Sequence, residues 1–184
     1  MIDIMPLDLI DLLHAAGERE QSFAAGTYLF HTGDRVKALF IILLGEVRLV
    51  RHQVDGTSIV LQRAEAGKVL AEASLFSARY HCDAIAGSAA LVRAISVQAI
   101  RQRFRENPDF AEAWATHLAH EVQSARFRSE VIALRTVAAR LDAWLSWHKS
   151  SLPRRGEWKQ IADQISVSAE ALYREIAKRR NAAR

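Results

Sequence analysis

The sequence predicts an α+β fold: an N-terminal antiparallel β-roll of the jelly-roll type, a long helix, and a C-terminal all-α helix-turn-helix. Three observations predict it. Between about residues 21 and 98, short β-rich runs are separated by Gly26, Gly33, Gly45, Gly56 and Gly67, roughly a strand and a turn apart. From Asp109 to about Leu134 there is neither Gly nor Pro, and apolar or small residues recur at steps of three and four. From Glu157 to Arg184 two amphipathic segments flank Ser166-Val167-Ser168. The expected domains are 1–107, the β-roll with flanking helices; 108–134, a dimerisation helix; and 135–184, a truncated helix-turn-helix.

Residues 7–16 read as a short amphipathic helix. The expected strands are Tyr28–Phe30, Leu39–Leu44, Val47–His52, Ile59–Ala64, Cys82–Ala86 and Ala90–Ser96, with Asp55-Gly56 a strong hairpin signal. Val97–Phe104 reads as helix, and Asn107-Pro108 marks a break before the next one. On the long helix the seam is Phe110, Trp114, Leu118, Val122, Ala125, Ser129 and Ile132, flanked by Glu121, Arg126, Arg128 and Glu130. Such a helix is about 38 Å long, longer than a small β-domain, so its seam is expected to be the interface of a homodimer rather than packing on its own β-roll. A further helix, Thr136–Trp147, turns Val137, Leu141, Trp144 and Leu145 inward and ends at Ser150-Ser151-Leu152-Pro153.

In the last segment Trp158, Ile161, Ala162 and Ile165 make the apolar face of the first helix, and Leu172, Tyr173 and Ile176 that of the second. Ser168 is a suitable N-cap. Glu170 and Arg174 fall one turn apart on a different face, where a carboxylate can accept from cytosine N4 and a guanidinium can fork onto guanine O6 and N7. The same spacing also suits an ordinary surface ion pair.

Charge is unevenly spread. Residues 1–100 hold nine Lys/Arg and eleven Asp/Glu, whereas residues 101–184 hold sixteen and ten, so polyanion contact is expected only in the C-terminal part. Cys82 is the single cysteine, which excludes an internal disulfide and a cysteine-built metal cluster and suits a reducing compartment. Asp3, Asp8 and Asp11 are wrong for a secretory signal, and the longest apolar run, Ala38–Leu44, is too short to span a bilayer. A soluble cytoplasmic protein without membrane contact is expected. No phosphate-binding Gly-rich loop, nucleophile elbow or HExxH motif is present, so an enzyme is not expected.

The order of a β-rich domain, a long helix and a helix-turn-helix resembles the CRP/FNR superfamily of bacterial transcription regulators. Gly33-Asp34 matches an early family loop, and Ile42-Leu43-Leu44-Gly45-Glu46-Val47 matches a strand pair. Gly67, Glu72, Ser74-Leu75-Phe76 and Ala84 match the effector-pocket cassette, and Ser168, Glu170 and Arg174 match the recognition-helix cap and base readers. The resemblance implies a cyclic-nucleotide-binding-like domain, a homodimer on double-stranded DNA, RNA polymerase as a further partner, and a small-molecule effector. It places that effector among Glu72, Ala73, Ser74, Leu75, Arg79, Cys82, Asp83 and Ala84, with Ala125 and Arg126 from the long helix. It places DNA against Ser168, Ala169, Glu170, Tyr173, Arg174, Lys178, Arg179 and Arg180.

The departures carry information too. Cys82 and Asp83 stand where nucleotide-binding members have the Arg and Ser/Thr that grip the cyclic phosphate, and Ala71 replaces a Gly. A lost charge-assisted contact costs about 1.5–3 kcal/mol, so the effector is not expected to be cyclic AMP. Arg79 is a candidate substitute phosphate ligand. Ala169 replaces a second base-reading Arg, and the sequence stops with Lys178-Arg179-Arg180-Asn181-Ala182-Ala183-Arg184 where members continue into a wing, so this basic tail is expected to contact phosphate instead. His81, Cys82, His117 and His120 offer ligands for haem iron, copper or zinc but follow no ligand spacing, and no cofactor is expected. Asp83 works against a reactive Cys82 thiolate. The competing reading is a β-roll that binds a protein or small molecule without sequence-specific DNA binding.

Overall fold

The described residues form eight short strands and six α-helices. The computed structural model describes residues 7–14, 19–149, 156 and 158–182. Ala15 and Ala16, the expected break at Ser150–Pro153, Glu157 and the last two residues lie outside these, as does Asp3. The elements are α1 (Leu7–His14), β1 (Arg19–Phe23), β2 (Tyr28–Phe30), β3 (Ala38–Leu44), β4 (Glu46–His52), β5 (Ser58–Glu65), β6 (Val69–Leu70), β7 (Asp83–Ala86), β8 (Ala90–Ser96), α2 (Val97–Glu106), α3 (Pro108–Ala133), α4 (Val137–Trp147), α5 (Trp158–Gln164) and α6 (Ala169–Ala182). They divide into two compact units, one up to His117 and the other from Leu118 onward, so the boundary falls inside α3. Among the described residues no helix is long and apolar enough to cross a membrane.

In the first unit the strands pair antiparallel in two four-stranded sheets, β1-β8-β3-β6 and β2-β7-β4-β5, the expected β-roll. The apolar run of β3 is buried on both faces through Leu39, Phe40, Ile41 and Ile42, while β4 alternates, burying Val47 and Leu49. Phe30 stacks on Tyr80 at 3.7 Å between ring centroids, and the Tyr80 hydroxyl donates to Ala38 O at 2.6 Å. Burial is the main reason the Tyr80 phenol has a raised pKa. Gly45, between β3 and β4, has φ +80°, and a Cβ there would collide with the Ala89 carbonyl oxygen. The β4–β5 hairpin closes as its Asp-Gly pair predicts, with Gln53 N–H donating to Thr57 O at 2.7 Å and Thr57 N–H to Asp55 Oδ1 at 2.9 Å.

Two strands escaped the sequence reading. β1 is a polar edge strand held only to β8, where Glu20 lies opposite Arg93 and pairs with it at 2.6 Å. β6 has two residues, too few to show a period. The strand expected from Cys82 starts at Asp83, leaving His81 and Cys82 in a bend.

The second unit is all-helical. Thr136 Oγ1 caps α4 by accepting from Ala139 N–H at 3.1 Å. Val131, Leu141, Trp158, Ile161, Ala162, Ile165, Leu172 and Ile176 form its core, with Phe127, Trp144 and Leu145 packed against it. Leu172 and Ile176 are therefore inward as expected. Tyr173 is not: it is 40% exposed, because its step along α6 carries it past the edge of that stripe.

Candidate functional site

The second helix of the helix-turn-helix begins at its cap. Ser168 Oγ accepts from Ala171 N–H at 3.2 Å, and Glu170 sits in the first turn, where the helix dipole favours a carboxylate. Ala169 packs against the core. Glu170, Tyr173, Arg174, Ala177 and Lys178 are exposed along one side of α6. Among the described residues Glu170 and Arg174 form no ion pair, with each other or with any other group. The surface-pair alternative is therefore not realised.

In the basic tail, Arg179 donates to Asp142 Oδ1 at 2.5 Å, to Glu175 Oε1 at 2.7 Å and to Ala138 O at 3.0 Å, and the bond to Asp142 is the main cause of its raised pKa. It ties α6 to α4, so the expected phosphate contact would come from a guanidinium already bonded within the protein. The Arg180 guanidinium lies 5.0 Å from the Trp158 ring centroid, a cation–π contact, and Tyr173 rests on the same indole at 5.3 Å. Lys178 and Arg180 are both exposed, and Arg179 is half-buried.

The cassette from Ala71 to Ala84 is held by the chain's own side chains. Ala71 takes φ 70°, the left-handed conformation its Gly counterpart would adopt without strain. Glu72 and Ser74 are buried, Leu75 and Ala84 lie in the core, and Ala73 is exposed. Ser74 Oγ lies 3.3 Å from His81 Nδ1, and Arg51 donates to His81 O at 3.3 Å. Asp83 is buried. Its Oδ1 accepts from Thr32 N–H at 2.9 Å and lies 3.3 Å from His31 Nδ1, with Oδ2 3.6 Å from His52 Nε2. Cys82 is 2% exposed. Burial pushes its thiol pKa up, Arg51 opposes this, and Asp83 and Glu72 add to the rise. Arg79, the candidate substitute phosphate ligand, is exposed and donates to Gly33 O at 2.5 Å.

Comparison with known proteins fits this geometry. Residues 20–107 match the cyclic nucleotide-binding domain family. No curated protein matches the chain in sequence. Solved structures match it over nearly its whole length. FixK2 from Bradyrhizobium japonicum has 16% identity and a TM-score of 0.69, covering 91% of this chain and 86% of its own. CLP, the c-di-GMP responsive global regulator of Xanthomonas campestris, has 17% identity and a TM-score of 0.65, covering 96% and 93%. A CRP-family transcriptional regulator from Thermus thermophilus has 21% identity and a TM-score of 0.59, covering 89% and 85%. The fold of the chain is thus that of CRP/FNR-type regulators.

Around the cyclic nucleotide-binding domain the remaining expected residues sort by burial. Phe110 and Trp114 are 0% and 2% exposed, packed edge-on against Phe104. They are consumed inside the first unit, which corrects their place in a partner-facing seam. Leu118 is half-buried, and Val122, Ala125, Ser129 and Ile132 are exposed in succession along α3, as is Arg126. His117 is buried, His120 is exposed, and among the described residues no group of three or more His, Cys, Asp or Glu could hold a metal ion. The residues that sequence reasoning missed are His31, Thr32 and His52 around Asp83, Arg51 at the cassette, and Arg140 in the helical unit. Only Arg140 left a signal, a cation inside the inward stripe of α4.

Proposed function

We propose that the protein is a homodimeric, DNA-binding transcription regulator that reads an inverted repeat through α6 and whose cyclic nucleotide-binding domain senses an effector other than cyclic AMP. The observation that carries this is the exposed Glu170 and Arg174, without an ion pair among the described residues, beside Tyr173 and Lys178 on one side of a capped helix. Exposed side chains of this kind are available to base edges, while Arg179 and Arg180 stiffen the helix that presents them. The exposed run from Val122 to Ile132 offers a second copy an apolar strip, and a two-fold dimer spaces two recognition helices for adjacent major grooves.

The effector argument rests on charge. A cyclic phosphate placed at Cys82 would meet a buried neutral thiol flanked by the Glu72 and Asp83 carboxylates, and Asp83 is already engaged by Thr32. A signal in this domain acts through α3, which runs without a break from one unit into the next.

The test is binding to duplex DNA over a range of salt. Affinity falling steeply and linearly in log–log form is expected, by about one unit of slope per phosphate contact. Saturating cyclic AMP is expected to leave it unchanged. Salt-independent or absent DNA binding would instead support a module that acts on protein or small-molecule partners.

A further inference from the structure

Arg140 stands among the inward residues of α4, with Val137 before it and Leu141 and Trp144 after. Its guanidinium commits every nitrogen to backbone carbonyls. Nε donates to Leu134 O at 2.8 Å and Nη2 to Ile132 O at 2.8 Å. Nη1 donates to Ser166 O at 2.8 Å and to Ile165 O at 3.1 Å. The first pair of carbonyls lies at the C-terminal end of α3, where the last turn has no intrahelical donors. The second pair lies just past α5, in the turn ahead of α6. The cation therefore bridges two helix C-termini, each carrying partial negative charge.

The turn it grips is a special one. Ser166 has φ 54°, a conformation that a residue with a side chain keeps only when its surroundings hold it. Val167 alone separates it from Ser168, the cap that starts α6. Val131 and Leu172 share the apolar core, so α3 and α6 stay associated without Arg140. Apolar burial is non-directional, however, whereas a planar fork on four carbonyls fixes a geometry.

We propose that Arg140 is a positioning residue: by clamping the end of α3 to the turn ahead of α6, it sets the angle at which the recognition helix leaves the dimerisation helix. Its consequence for DNA rests on the function proposed above; the clamp itself does not. Lysine is the informative replacement, because a point charge keeps the cation but cannot fork onto both segments.

Spin labels at Glu130→Cys and Asn181→Cys, in protein diluted into excess unlabelled chain, report the α3–α6 distance by double electron–electron resonance. Cys82 is buried and stays unlabelled. One narrow distance is expected with Arg140, and a broadened or displaced distribution in Arg140→Lys, with helical content and melting close to wild type. On DNA, Arg140→Lys is expected to keep single half-site affinity within about threefold but to lose about tenfold in preference for the correctly spaced repeat. An unchanged distance distribution in the folded variant overturns the proposal. So does a variant that fails to fold, since Arg140 would then hold the domain together rather than aim it. Broadened distances in a protein that binds no DNA support the clamp and sink the DNA-reading function instead.

Discussion

Replacing Arg179 by Ala separates a helix clamp from a phosphate anchor. The side chain is 24% exposed and makes three contacts: to Asp142, itself 64% exposed, to Glu175 at 16%, and to Ala138 O. The Asp142 pair is well solvated and contributes about 0.5 kcal/mol, and the one-turn pair with Glu175 about as much. The bond to the half-buried Ala138 carbonyl adds about 1 kcal/mol. Truncation should thus cost about 2 kcal/mol of folding stability, lowering the urea midpoint by about 1 M. Arg174→Ala, which removes no ion pair among the described residues, should melt within about 0.5 kcal/mol of wild type yet lose about 1–3 kcal/mol on its cognate DNA site. Urea unfolding followed by circular dichroism, with both variants run beside wild type, reads the difference. A variant lacking Arg179 that unfolds at the wild-type midpoint, while binding all DNA more weakly with a salt slope reduced by about one, would refute the clamp.

Further outcomes follow from the β-roll and α3. Gly45→Ala drives a Cβ into the Ala89 carbonyl oxygen at φ +80°, so a loss of roughly 2–4 kcal/mol is expected; a melt like wild type would show that the β3–β4 corner is slack. Tyr80→Phe keeps the stack on Phe30 but loses the donor to Ala38 O, at a cost of about 1 kcal/mol near neutral pH. Because burial raises the Tyr80 pKa, the stability linked to its ionisation is intact below about pH 10 and lost as pH rises through the folded value. Phe should remove that part of the alkaline fall, and an identical fall in both proteins would contradict it. Val122→Glu puts a charge on the exposed strip of α3 in each copy, and light scattering should show dissociation to single chains; an unchanged dimer would place the interface elsewhere. Cys82 should resist a thiol reagent at pH 7 until the protein unfolds, and rapid reaction in the folded state would contradict its buried, raised-pKa setting.

Much of the architecture was legible because its signals are local. Glycine spacing, the Asp55-Gly56 turn and the Ser168 cap are each set by a few adjacent residues, and all appear where those residues direct. β1 was not legible, since a polar edge strand owes its conformation to pairing with β8 rather than to its own pattern. The seam of α3 read as uniform because helical period says which residues share a face, not what covers it; Phe104 covers Phe110 and Trp114. Charge counting likewise does not show what Arg179 touches. A cation at a helix end reads as a phosphate ligand until Asp142, 37 residues earlier, is brought beside it. The three groups around Asp83 come from the segment just after β2 and from β4, which no spacing in the chain brings together.

The central claim is that the exposed face of α6 reads sequence, and selection of genomic DNA fragments by the purified wild-type protein and by Arg174→Ala tests it most directly. Near physiological salt and without added effector, wild type should enrich an inverted repeat with half-sites about one helical turn apart, and Arg174→Ala should relax the preference at one base pair of each half-site. No enriched repeat, or the same repeat with equal stringency from both proteins, would contradict it.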